Sequence, residues 1–316
     1  MKTISIFISA ILLAYLFSAC EKDNEQILTK TSVESIADFF KDNRVNNTQI
    51  FTEDNNKIVR ITGEQGTSII FSPNSFETKN GDPVTGEIEI KLLEVYTKGD
   101  MILNDLPTVG RKKNGELAPL ISGGQFNIQV SQNQEELKLV KTAFVSTKDQ
   151  ELDDNMGIFE GEELNGQVTW IESTNNSIEN CDTGIVKIGQ YCLNLNFLNW
   201  INCDFFNNDP RPKTQIAIEL PSDFNSTNTH VYITFQNQSS ILKLHGEENI
   251  FRIPSGYNGL PIGLVTNIHC IANGKNGIEY AAINTTIEKD HLEVIKNTQF
   301  ETLTLAKAIE KLKLIQ

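Results

Sequence analysis

Gly86-Glu-Ile-Glu-Ile-Lys-Leu-Leu-Glu-Val-Tyr96 decides the fold class. Ile88, Ile90 and Leu92 fall on one side of an extended chain, and Glu87, Glu89 and Lys91 fall on the other. A period of two with one apolar face reads as a half-buried strand of an antiparallel sheet. Upstream, residues 57–61 and 67–71 are runs of the same kind, rich in β-branched residues. The second stops at Ser72-Pro73-Asn74, because proline has no amide hydrogen to give a ladder. Asn80-Gly81-Asp82-Pro83 is a turn. Downstream, Gly123-Gly124 leads into residues 125–130, where Phe126, Ile128 and Val130 alternate inward, and a further short strand follows at 136–139.

The same signature continues to the C-terminus. Strands are expected at 157–159, 167–170, 186–200, 215–220, 230–235, 240–245 and 250–253. Residues 263–272 and 278–286 flank Asn273-Gly274-Lys275-Asn276-Gly277 and read as a hairpin. Helical spacing is scarce. Thr31-Ser32-Val33-Glu34 has a capping-box pattern, with Thr31 as the cap, and Val33, Ile36, Ala37 and Phe40 would share one face. Leu305, Ile309 and Leu312 give an amphipathic C-terminal helix, expected on the second domain, although such a terminal helix can also hold a partner. The acidic run Glu151-Leu-Asp-Asp-Asn155 is the expected junction. The chain is therefore expected to be mostly β, with two β-sandwich-like domains at 49–150 and 151–316, a short N-terminal helix and a C-terminal helix.

The first 48 residues place the protein. Lys2 is followed by an apolar run from Ile4 to Phe17, then Ser18-Ala19-Cys20. A basic start, a short apolar run and small residues before the cut are the marks of a signal peptide. The run falls short of the roughly 20 residues of a spanning helix. Leu16-Phe17-Ser18-Ala19-Cys20 resembles the lipobox of bacterial lipoproteins, with Phe17 where an aliphatic residue is usual. The resemblance implies a leader over 1–19, an acyl-modified Cys20 as the membrane contact, and a polar spacer with a short helix over 20–48. The alternative is an ordinary cleaved leader with an incidental Cys. Glu21-Lys22-Asp23 resembles the signal that sends Bacteroidota lipoproteins to the outer face of the outer membrane, so an outer-membrane, cell-surface location is expected.

Composition narrows the partners. The net charge is −14, and loss of Lys2 with the leader makes it −15. Nucleic acid is disfavoured, because its binding needs basic stripes. No cofactor motif is present. His230, His245, His269 and His291 lack the spacing of a zinc pair, and His269 and Cys270 are strand neighbours pointing to opposite faces. No nucleophile elbow or phosphate loop occurs, so no catalytic residue and no metal ligand is assigned. Glu87 and Glu89 share a face that reads as solvated. Asp149, Glu151, Asp153, Asp154 and Asn155 carry oxygen ligands without EF-hand spacing and read as linker. Trp200 reads as a core tryptophan at a strand end rather than a sugar platform.

Beyond Cys20, four cysteines remain: Cys181, Cys192, Cys203 and Cys270. An oxidising compartment permits two bridges. Gly184 and Gly189 allow a tight reversal between Cys181 and Cys192, which leaves Cys203 with Cys270. The alternative is four buried thiols serving as small hydrophobes.

Gly66-Thr-Ser-Ile-Ile-Phe-Ser-Pro-Asn-Ser-Phe76, residues 86–92 and Ser122-Gly-Gly-Gln-Phe126 together resemble a ZU5-type β-sandwich over about residues 55–145. Asn74-Ser75-Phe76 departs from the small aliphatic residue usual after the proline turn. The resemblance implies a binding module without catalytic residues. The expected function is thus a lipid-anchored, non-catalytic interaction module facing a protein or glycan. The rivals are an extracytoplasmic hydrolase with a carboxylate site and a structural lipoprotein of an envelope complex.

Overall fold

The computed structural model describes residues 33–148, 150–164, 167–182 and 187–316. The readings placed on the leader, Cys20, Glu21-Lys22-Asp23, Thr31, Ser32, Asp149 and Gly184 fall outside the described residues.

The chain is mostly β. The strand that opened the sequence reading runs over Glu87–Val95, between Gln49–Asp54 and the 16-residue strand Leu117–Gln132. Asn199–Phe206, Gly157–Leu164, Gln167–Glu172 and Val109–Arg111 extend this sheet in that order. A second sheet orders Ser177–Asp182, Lys187–Leu195, Ala143–Ser146, Ser68–Phe71 and Val59–Thr62. Ile69, Ile90, Phe126, Val145 and Leu193 belong to the core of this first sandwich.

The large sheet curls at one end. Val109–Arg111 pairs antiparallel with 117–119 and parallel with 170–171, so five strands close a ring. Leu120, Phe159, Val168 and Trp170 are buried together on its concave side. Gly161 has room for no side chain there, since a Cβ would lie 2.5 Å from Trp200 Cβ.

The acidic run at 151–155 is not where the sheets part. Gly157–Leu164 and Asn199–Phe206 join strands from 87–132, and Lys187–Leu195 pairs with Ala143–Ser146. The sheets separate only after Phe206. The later strands build a second sandwich. One sheet orders Ile241–Lys243, Thr229–Phe235, Val265–Gly274, Gly277–Thr286 and Glu301–Leu303. The other orders His245–Glu247, Ile250–Arg252, Ile216–Glu219 and His291–Val294. The expected hairpin is present, with Gly274 opposite Gly277.

A third core lies between the sandwiches and holds the helices. Helix α1 (Ile36–Asn47) is capped by Ser35, whose Oγ accepts from Asp38 N at 3.1 Å and donates to Asp38 Oδ2 at 2.7 Å. The cap is therefore not Thr31, and the buried face is Val33, Ile36, Phe39 and Phe40, with Ala37 exposed. Helix α2 (Lys98–Leu103) carries a capping box of Thr97 and Asp100. Helix α3 (Leu305–Lys313) does more than cover the second sandwich: it buries Leu305, Ala308 and Leu312 in the same core as α2. Gly99 permits this approach, since a Cβ there would lie 2.2 Å from Leu312 O, and Gly99 N donates to Ile315 O at 3.0 Å. The helical layer also explains why Leu93 and Val95 are buried. The face that reads as wet at Glu87, Glu89 and Lys91 turns dry where the helices cover it.

Candidate functional site

A broad concavity runs along the first strand of the large sheet. Gln49–Asp54 pairs with Glu87–Val95, and among the described residues no strand pairs with its other edge. Val59–Thr62 is likewise an edge strand of the second sheet. The chain reaches Gln49 directly from α1, so helix and strand edge meet at one corner. A concavity of about 660 Å³ is lined there by Asn46, Gln49, Ile50, Thr62, Glu94 and Lys313 among others. A neighbouring one of about 410 Å³ shares Thr48 and Ile50 and adds Val45, Lys91, Gln129 and Glu163. Val45 is 66 % exposed and Ile50 60 % exposed. The result is a groove with two exposed aliphatic side chains at its centre, carboxamides around them, and charges of both signs at the rim.

Glu94 braces the end of this groove. Buried among donors, it accepts from Gln49 Nε2 at 2.8 Å, Gln65 N at 3.0 Å and Thr67 N at 2.9 Å. The alternation that marks residues 87–92 gives no hint of this carboxylate's role. Trp200 contributes to the adjoining wall but offers no free platform. It is 9 % exposed, packs edge-to-face on Trp170, lies under the Arg44 guanidinium at 5.4 Å, and donates from Nε1 to Glu163 Oε2 at 3.2 Å.

Asp105, His230 and His269 are structural braces. Asp105 accepts from Tyr232 at 2.7 Å and Lys243 at 2.7 Å, tying the turn after α2 to the second sandwich. Burial alone would raise the Asp105 carboxyl, but Lys243 and its other partners hold it below its ordinary value. His230 stacks on Phe40 and lies 3.9 Å from Asp105, a carboxylate already satisfied by closer donors. Burial and Lys243 outweigh Asp105 and depress His230 to about 4. His269 bonds Thr234 through Nε2 at 3.1 Å and Tyr280 through Nδ1 at 2.9 Å, and burial depresses it to about 4 as well. Cys270 lies on the opposite face, inside the second sandwich. His245 is exposed and His291 sits 3.4 Å from Glu293.

A disulfide joins Cys181 to Cys192. The Cys203–Cys270 pairing is corrected: both are free and buried, Cys203 in the core of the first sandwich and Cys270 in that of the second. They behave as the small hydrophobes that the alternative allowed. Asp153 accepts from Asn155 N at 2.8 Å and Nδ2 at 2.7 Å, closing its own loop. Among the described residues, no group of three His, Cys, Asp or Glu is placed to hold a metal ion. Glu89 pairs with Lys91 at 3.2 Å on the solvated half of its strand. No described helix is long and apolar enough to cross a membrane.

No family model, curated protein or solved structure matches the chain.

Proposed function

We propose that the protein is a lipid-anchored, cell-surface interaction module whose groove binds an extended segment of a protein partner without catalysis. The observation that supports this reading is the edge of Gln49–Asp54, unpaired among the described residues, beside Val45 and Ile50. An edge strand offers main-chain donors and acceptors to an added strand, and flanking apolar side chains supply pockets for alternate residues. An apolar centre inside a polar rim is the composition of a protein interface. The ZU5-type resemblance over 55–145 points to a binding module too. Anchoring at Cys20 would hold α1, which forms one wall of the groove, near the membrane end of the chain.

Site-specific photocrosslinking in native envelopes tests the proposal. A crosslinker at Ile50 should trap one discrete partner, and one at Leu292, equally exposed but on the second sandwich, should not. Ile50→Asp should abolish recovery of that partner. Equal trapping from both positions, or recovery unaffected by Ile50→Asp, would reject the groove. Turnover of a glycoside, ester or peptide substrate by residues 21–316, lost on mutating one carboxylate, would favour the hydrolase rival instead.

A further inference from the structure

The closed ring of strands has an open end on the side away from the groove. A cleft of about 400 Å³ occupies it, lined by Asn155, Gly157, Glu172, Asp204, Phe206 and Asn208 among others. It shares no lining residue with the groove along Gln49–Asp54.

The register fixes what lies at its floor. Asn202 is directly opposite Phe159, which is buried on the concave side of the ring. Asn202 Nδ2 donates to Asp204 Oδ2 at 2.5 Å, so the Asp204 carboxyl lies on that side as well. Asp204 is 0 % exposed, and its Oδ1 has no hydrogen-bond partner among the described residues. Deeper in the ring, Gln125 lies opposite Asn202 on the next strand, and neither of its side-chain amide atoms has a partner among the described residues. Buried polar atoms are paired as a rule, and unpaired ones here mark unfilled hydrogen-bonding capacity. Gly157, opposite Asp204, leaves the space above it open: a Cβ there would meet nothing closer than 3.8 Å. Phe159 and Phe206 form an edge-to-face wall, 5.4 Å between centroids. At the rim, Asn208 is exposed, and exposed Asn155 gives one Nδ2 hydrogen to Asp153, with no bond to its Oδ1 among the described residues.

We propose that the open end of this ring binds a pyranose unit of a glycan, with Phe206 against its C–H face and Asn155, Asn208 and the Asp204 floor toward its hydroxyls. A pyranose presents one apolar face and a girdle of groups that both donate and accept. The cleft supplies a half-buried aromatic wall for the first, and carboxyl and carboxamide groups for the second. A wholly apolar ligand would leave the Asp204 carboxyl as it is, buried with one oxygen unpaired. The volume lies within the range of small-ligand sites, which favour the mouths of strand barrels. The protein would then hold a protein segment at one edge and a sugar at the other end of the same sandwich.

Titration of the ¹⁵N-labelled mature chain with maltotetraose, cellotetraose and chitotetraose tests this. At least one should give saturable shifts at the amides of Asn155, Gly157 and Asn208. Gly157→Leu fills the cleft from a position with room for a side chain and should abolish those shifts. Asn155→Ala with Asn208→Ala, both at exposed positions, should weaken binding by about tenfold through lost hydrogen bonds. Absence of saturable shifts with all three sugars overturns the proposal. Shifts that survive Gly157→Leu in a folded variant overturn it too. If Gly157→Leu does not fold, unchanged affinity in the double alanine variant overturns it.

Discussion

Replacing Asp204 with Asn should flatten the pH dependence of stability. Burial pushes the Asp204 carboxyl well above its ordinary value, and the bond from Asn202 does not offset that. The folded state therefore keeps a proton that the unfolded chain releases near pH 4. Because the folded pKa is raised, the group's stabilising contribution is complete below the unfolded value and is lost as pH rises toward the folded one. Where the folded form is protonated and the unfolded form ionised, each pH unit costs about 1.4 kcal/mol. From pH 5 to pH 7 the wild type should lose up to about 3 kcal/mol through this one residue. Asn at 204 retains an acceptor for Asn202 and carries no titrating proton. His230 and His269 titrate in both proteins and cancel in the comparison. Urea unfolding followed by the fluorescence of Trp170 and Trp200, both in the central core, measures the difference at the two pH values. If the two proteins show the same change in stability between pH 5 and pH 7, the protonated-carboxyl reasoning is wrong.

Gly99→Ala should destabilise the chain by about 2 kcal/mol or more, through overpacking where α2 meets the end of α3, and thermal melting should show it. The Cys181–Cys192 bridge closes a short loop, so substituting both cysteines should cost about 3 kcal/mol in urea titrations. Alkylation of the denatured, unreduced mature chain should label Cys203 and Cys270 but neither bridge partner. Metabolic labelling with a fatty-acid analogue should mark the wild type and not Cys20→Ala; equal labelling would end the lipoprotein reading.

Strand alternation carried the fold class, because a residue's side of a strand follows from its parity alone. The hairpin at 265–286 and the local disulfide were legible for a similar reason: both depend on neighbours in sequence. The junction was not. An acidic run such as 151–155 marks a solvated loop, and a loop joins strands within one sandwich as readily as between two. The even number of cysteines suggested pairs, but parity carries no distance, and Cys203 and Cys270 lie in different cores. The buried polar residues were hidden by the covering layer. Asp204, Gln125 and His269 alternate with apolar residues just as solvated ones do. Only the ring closure and the helices between the sandwiches reveal that their face is dry. Glu94 is similar, since its donors at 49, 65 and 67 come from other parts of the chain.

The central core joins the first described residues to the last. Val33 and Ile36 share it with Leu305 and Leu312, and Asn273 Nδ2 donates to Val33 O at 3.2 Å. A chain emerging from its N-terminus can complete the first sandwich while later residues are still absent, since that sandwich ends at Phe206. It cannot finish covering α2 until α3 has arrived, because Gly99 packs on the end of α3. Contacts spanning nearly the whole sequence form late and slowly, because the closure of so long a loop comes before any return from it. Until then α2 would keep the face around Gly99 uncovered, and a chain cut short before residue 305 would leave that face exposed to chaperones and proteases. Leu305–Lys313 thus closes a face that α2 leaves open far earlier in the chain.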